Sequence, residues 1–157
     1  MEKGFTLIEL VVVIVILGIV TAFAVPRYAN LSTTAKISTI QNIQGSMKSS
    51  AFIIHSLATL QNVPYTGPDA GRAITTQFGL VDTWNRYPES RAETGSGLGM
   101  LELIQLNVGQ GMLTYVDNDL VRVGYDLTVG SNGCYAEYLE ATSATNPPAQ
   151  TIQLGGC

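Results

Sequence analysis

The chain has 157 residues, which is enough for one globular domain and a long additional helix. It carries 8 basic and 12 acidic residues, and its formal net charge is −4 at pH 7. A nucleic-acid-binding surface needs clustered Lys and Arg, whereas the basic residues here are scattered, so nucleic acid is not an expected partner.

An apolar run extends from Phe5 to Val25, and Glu9 is its only charged residue. As a helix, this run would reach about 30 Å, enough to cross the hydrocarbon core of a bilayer. A carboxylate at that depth is costly and needs a partner, so Glu9 is a functional candidate. A signal peptide fits less well, because Gly4 precedes the run and Glu9 interrupts it. A simple transmembrane anchor is a further alternative.

The residues Lys3-Gly4-Phe5-Thr6-Leu7-Ile8-Glu9-Leu10 resemble the class III leader of type IV pilins and of the related pseudopilins. The resemblance implies that residues 1–4 are a leader, which a prepilin peptidase removes on the cytoplasmic side by cutting after Gly4. It also implies that this enzyme methylates the new amino group of Phe5. The rest of the apolar run would stay attached to the product.

The same resemblance assigns assembly roles to Glu9 and Pro26. In the family, an acid at the position of Glu9 attracts the N-terminal amine of a neighbouring subunit, and opposite charges attract strongly at low dielectric. A proline at the position of Pro26 permits a kink or local melting of the helix. Residues 5–26, here called the apolar half, would then be the transmembrane and filament-core half-helix.

Residues 27–62 are predicted to continue the same helix as an amphipathic half. Apolar residues recur every three or four positions and form one stripe, which comprises Ile37, Ile40, Ile43, Met47, Ala51, Ile54 and Leu57. Core packing against a sheet explains this stripe better than a binding groove does. We expect one helix of about 50 residues or more, ended by Asn62-Val63-Pro64.

Residues 63–110 contain many Gly and Pro residues and correspond, by the resemblance, to the αβ-loop, which packs between subunits in that family. We expect a long surface loop over 63–99 with short helical pieces around Gly71–Phe78. The segment Leu101–Leu106 is compatible with a helix or a strand. Trp84 and Tyr87 are expected to anchor the loop to the domain, with ligand contact as the alternative.

Residues 111–140 are predicted to form a small antiparallel sheet. Its strands would be Leu113–Val116, Val121–Val129 and Cys134–Leu139, joined by turns at residues 117–119 and 130–133. A calcium loop is the alternative for residues 117–119, but the Gly and the distant Glu of that pattern are missing. One face of the sheet would be covered by the long helix.

Cys134 and Cys157 are the only cysteines. Two cysteines in an exported protein most simply form one disulfide, which would pin the Ser-, Thr-, Asn- and Pro-rich segment Ala141–Gln153 and stabilise the fold by about 3 kcal/mol. A metal site or a redox pair is the alternative, but it lacks further ligands and a C-x-x-C spacing. The segment 134–157 resembles the disulfide-bounded C-terminal loop of type IV pilins.

No enzymatic motif stands out, and we expect neither catalytic residues, nor a cofactor, nor a metal. The only histidine, His55, lies beside the apolar stripe, where packing or surface exposure explains it. Phosphate-binding G-x-x-x-x-G-K-[ST] and nucleophile G-x-S-x-G motifs do not occur in the sequence.

The sequence therefore predicts an α+β protein with the pilin fold that acts as the structural subunit of a helical homo-oligomeric filament. The resemblance implies storage in the inner membrane, contact with prepilin peptidase and the pilus assembly machinery, and export as an extracellular pilus for adhesion, with a surface or glycan receptor, and for motility. The leader, cysteine layout and length resemble mannose-sensitive haemagglutinin pilins. The alternatives are a pseudopilin of type II secretion and a membrane-anchored binding protein or enzyme.

Overall fold

The computed structural model describes residues 4–65, 72–92, 97–106 and 111–157. The leader residues 1–3 and parts of the region 63–110 lie outside the described residues. The chain divides into two units, Met1–Ala35 and Lys36–Cys157, and the second is called the head below. Helix α1, Leu7–Leu60, has 54 residues, so the expectation of a helix of at least 50 residues is confirmed.

Helix α1 ends at Leu60 in a turn that Asn62 makes possible. Asn62 adopts a left-handed backbone conformation with φ of 53°. Its N–H donates to the Thr59 carbonyl at 3.1 Å, and the N–H of Val63 donates to the Ala58 carbonyl at 2.9 Å. These are the two bonds of a Schellman motif, in which Asn is the usual substitute for Gly. The predicted stop at Asn62-Val63-Pro64 is therefore confirmed.

The amphipathic half of α1 buries its apolar stripe in the head. The stripe members Ile37 and Leu57 are half-buried. The residues of this half with no more than 4% of their surface exposed are Ile40, Ile43, Met47, Ala51, Ile54 and Ala58, the last of which adjoins the predicted stripe. Four of them, Ile40 to Ala51, belong to one cluster with Val121, Val123, Ala136 and Tyr138 of the sheet. Core packing of the stripe is thereby confirmed.

In its described part, the region predicted to be a loop over 63–99 forms two short hairpins, and one short helix follows it. Strand β1, Ile74–Thr76, pairs with β2, Gly79–Val81, and strand β3, Thr83–Trp84, pairs with β4, Tyr87–Pro88. Helix α2, Met100–Leu103, resolves the ambiguity of the segment Leu101–Leu106. The helical pieces expected around Gly71–Phe78 are wrong in their described part, because the β-branched run Ile74-Thr75-Thr76 favours extended backbone.

Buried polar and aromatic contacts hold the hairpins in place. The guanidinium of Arg72 lies 3.4 Å from Glu89, with only 3% and 6% of the side chains exposed, and it stacks on Trp84 at 4.1 Å. Tyr87 stacks on His55 of α1 with ring centroids 4.2 Å apart. Tyr87 thus anchors the region to the helix as expected, and His55 takes part in packing.

Within the described residues, the main sheet has four strands in the order β5-β6-β7-β8, all antiparallel. They are β5, Leu113–Val116; β6, Leu120–Asp126; β7, Cys134–Leu139; and β8, Ala149–Gln153. Residues 117–119 form the expected tight turn. Strand β6 is shorter than predicted and ends at Asp126, whose carboxylate accepts a hydrogen bond from the Thr128 N–H just beyond the strand. Its pairing with β7 shifts register between Gly124 and Asp126.

Strand β8 is an element that the sequence pattern missed, since the segment 141–153 was expected to be irregular. Its residues are mostly polar, and only Ile152 packs against the core. The side chain of Gln44 on α1 also donates a hydrogen bond to the backbone of β8, at the Gln150 carbonyl, over 2.9 Å.

Tyr138 of β7 is fully buried between the sheet and the β3–β4 hairpin. Its hydroxyl donates to the Pro88 carbonyl at 2.7 Å. Burial raises the pKa of Tyr138, and the negative charge of Glu140 adds to this effect, so the hydroxyl keeps its proton and remains a donor.

Because one side of α1 is buried and the other is exposed, two substitutions on this helix should differ strongly in their effect on the free energy of unfolding. Met47→Ala removes a fully buried side chain and should lower the free energy of unfolding by about 2 to 5 kcal/mol. Phe52→Ala, the control, truncates a side chain that is 72% exposed and should change it by about 0.5 kcal/mol or less. Denaturant unfolding of the full chain in detergent, followed by Trp84 fluorescence, measures both. Equal losses would contradict the packing.

Candidate functional site

The start of α1 places a carboxylate beside the chain's N-terminal segment. Thr6 precedes the first helical residue, and both its backbone N–H and its hydroxyl donate to Oε2 of Glu9, at 2.9 Å and 2.7 Å. The N–H of Glu9 approaches the Thr6 hydroxyl oxygen at 3.4 Å. This reciprocal arrangement is a capping box, which satisfies backbone donors that no helical carbonyl can reach.

The capping box directs the Glu9 carboxylate toward the first turn of α1, where the helix dipole favours negative charge. Both Thr6 donors use Oε2, and among the described residues none donates to Oε1. A carboxylate can accept about four hydrogen bonds, so Glu9 retains capacity for a further donor. Thr6 is a site residue that the sequence reasoning missed. The T-x-x-E spacing was the signal that could have found it.

The remainder of the apolar half exposes apolar side chains on every side. Between Leu7 and Val25 the large hydrophobic residues are 43% to 80% exposed. The helix is long and apolar enough to cross a membrane, with a mean hydropathy of 2.9 over its best window. The Thr21 hydroxyl donates back to the Gly18 carbonyl at 3.2 Å, so this polar group is satisfied inside the helix.

Three other predicted site residues lie in this unit. Gly4 and Phe5 are exposed and precede α1, with 75% of Phe5 accessible. Pro26 lies inside α1, which continues on both sides of it. Because proline has no N–H, the carbonyl of Ala22 has no donor four residues ahead. The predicted kink or melting at Pro26 stays a prediction.

The predicted disulfide is present between Cys134 and Cys157, with Cα atoms 4.9 Å apart and a sequence separation of 23. Cys134 starts strand β7, and Cys157 follows the turn after β8. The N–H of Gly156 donates to the Gly133 carbonyl at 3.0 Å. A Cβ at Gly155 or Gly156 would collide with backbone oxygens of the β6–β7 turn, so this close approach requires glycine.

Comparison with known proteins assigns the family. Residues 1–25 match the prokaryotic N-terminal methylation motif. The chain is 31% identical over 118 residues to the type IV major fimbrial protein FimA of Dichelobacter nodosus. This alignment covers 71% of this chain and 69% of that protein. Another FimA of the same organism is 40% identical over 110 residues, covering 61% and 69%. The chain belongs to the type IV pilins.

As a pilin, this protein is a structural subunit of a fimbrial filament and not an enzyme. Fimbriae are extracellular, and the apolar half-helix of this pilin is compatible with membrane anchoring. Nothing observed favours the pseudopilin alternative. No solved structure matches the pilin chain.

The disulfide predicts that the pilin head loses stability when either cysteine is replaced. Cys134→Ser and Cys157→Ser should each lower the free energy of unfolding by about 2 to 5 kcal/mol, because both remove the same cross-link. The double variant should be no less stable than the Cys134→Ser variant, and this is the control. Denaturant unfolding measures the loss. Free thiols in the native pilin, denatured without reductant, would refute the bridge.

Proposed function

We propose that this pilin is the major subunit of a surface type IV pilus, and that its precursor is cut after Gly4 and methylated on Phe5. The match of residues 1–25 to the methylation motif supports this step. The exposure of Gly4 and Phe5 ahead of the first helical turn also supports it, because a peptidase needs an accessible, non-helical peptide bond. The partner in this step is a prepilin peptidase.

Before assembly, the processed pilin resides in the inner membrane by its apolar half. The exposed apolar surface between Leu7 and Val25 supports this location, since each buried CH₂ contributes about 0.8 kcal/mol. In the filament the same surface exchanges lipid for the helices of other copies. This chain shows no nucleotide-binding motif, so a separate assembly machinery supplies the energy.

The observation that carries the proposal is the capped carboxylate of Glu9 at the start of an uncovered apolar helix. Thr6 donates both of its hydrogen bonds to Oε2, and Oε1 keeps its acceptor capacity. The methylated Phe5 amine of a neighbouring copy is a cation that can donate to Oε1. Such a pair relieves the cost of two separate charges in an apolar bundle.

We further propose adhesion as the role of the assembled pilus, through a surface or glycan receptor. The basis is the likeness of leader, cysteine layout and length to the mannose-sensitive haemagglutinin pilins. Motility is the second role that follows from a type IV pilus.

Replacing Glu9 tests the assembly step. Glu9→Gln keeps the size and one acceptor oxygen but removes the charge, so filament yield should fall by about tenfold or more while the amount of membrane-bound pilin is unchanged. Asp119→Asn, the control, makes the same change from carboxylate to amide at an exposed turn of the head and should assemble normally. Sheared filaments and membrane fractions are quantified by immunoblot. Normal filament yield from Glu9→Gln would exclude a role for the charge in assembly.

The intact mass of pilin sheared from the cell surface tests processing. We expect a chain that begins at Phe5, is one methyl group heavier than the unmodified chain, and is two hydrogens lighter because Cys134 and Cys157 are oxidised. Reduction should return the two hydrogens and serves as the control. A chain that is absent from sheared material and still starts at Met1 in the membrane would overturn the proposed maturation.

A further inference from the structure

The head carries an open groove of about 980 Å³ between α1, the β1–β2 hairpin and the residues that follow α2. The small residues Gly45 and Ser49 of α1 line one part of it, and the apolar side chains of Ile53, Phe78 and Ile104 line another. Phe78, at the tip of the hairpin, is 62% exposed, and Ile53 is 55% exposed. Among the described residues that line the groove, none carries a charge.

Gly45 has no function that the folded subunit explains. It lies in the interior of α1, where glycine stabilises a helix less than alanine does. A Cβ at this position would meet nothing within 4 Å. Because the subunit itself leaves this space open, packing within the subunit does not require glycine here, and the position is open to a close approach from outside. Small residues at helix surfaces permit such close backbone packing.

We propose that this groove receives the apolar half-helix of a second copy, within Leu10–Val25. The inference deepens the proposed function, because it names the surface of the head that assembly uses. Both surfaces are uncharged, so neither leaves an unpaired charge on burial. The occupant also has apolar surface on all sides, which must be covered when the helix leaves lipid.

The dimensions and the symmetry of this contact agree with a filament. A helix with side chains is about 10 to 12 Å wide and rises about 1.5 Å per residue, so a groove of 980 Å³ holds roughly two helical turns. The groove and Leu10–Val25 are different patches of the same chain. A contact between different patches is heterologous, and repeating it generates an open helical assembly instead of a closed dimer.

Cysteine cross-linking in filaments tests the contact directly. Ser49→Cys is combined with one cysteine at a time along Leu10–Val25, and sheared filaments are oxidised and separated on a non-reducing gel. At least one combination should give a ladder of covalent multimers. The control is Lys48→Cys, which is exposed on the same helix but does not line the groove, and its combinations should stay monomeric.

Filaments without a ladder for any Ser49→Cys combination would overturn the groove contact and leave the pilus function standing. Equal ladders from Lys48→Cys would also overturn it. If the unmodified pilin forms no filaments, as seen by electron microscopy, the proposed function itself fails. The two failures are therefore distinguishable.

A second variant keeps the proposal testable if the cysteine variants do not assemble. Gly45→Leu should unfold at the same or a higher denaturant concentration, because leucine is the better helix former, yet its filament yield should fall by about tenfold or more. Gln41→Leu, exposed on the same helix outside the groove lining, should match the unmodified pilin in both measurements. Normal filament yield from Gly45→Leu would overturn the proposal. That result is expected if a lipid or another protein, and not a second copy, occupies the groove.

Discussion

Burial of one stripe of α1 against the four-stranded sheet is the interaction on which the rest of the head depends. Met47 and Ile40 belong to the same buried cluster as Val121 and Val123 and are fully buried, so the helix excludes water from this face of the sheet. A sheet with one apolar face is stable only when that face is covered. The β1–β2 hairpin adds a second cluster around Ile54 and Ala58, farther along the same helix.

The two halves of helix α1 differ in composition, because the first half suits apolar surroundings and the second half suits a position between the sheet and water. Its first half has a single carboxylate, Glu9, whose Oε2 is engaged by Thr6 within the first turn. Its second half has one buried stripe and one exposed side, which includes Gly45. The roles proposed for Glu9 and Gly45 have the same basis, since each residue is unfavourable in an isolated subunit and each would be accommodated by the approach of another copy.

The elements that could be predicted from sequence are those with a long, regular signal. The stripe from Ile40 to Ile54 repeats over several turns, and the strand at Val121 and Val123 alternates clearly. Strand β8 escaped because its side chains are mostly polar, so its pairing depends on β7 and on the Gln44 bond. The β1–β4 hairpins escaped because two- or three-residue strands have no measurable period. Thr6 was missed because Glu9 was interpreted only as a charge, whereas Thr6 and Glu9 together also cap the helix.

The strand order of the sheet determines how the head can acquire its structure. Each strand from β5 to β8 pairs only with its neighbours in sequence, so the sheet can grow by successive hairpins without closing long loops. Contacts of this kind form quickly, whereas the packing of α1 joins residues far apart in the chain and is slower. The two cysteines lie at the outer ends of the β7–β8 hairpin. The disulfide and the hydrogen bonds between these strands therefore hold the same hairpin together and specify one register.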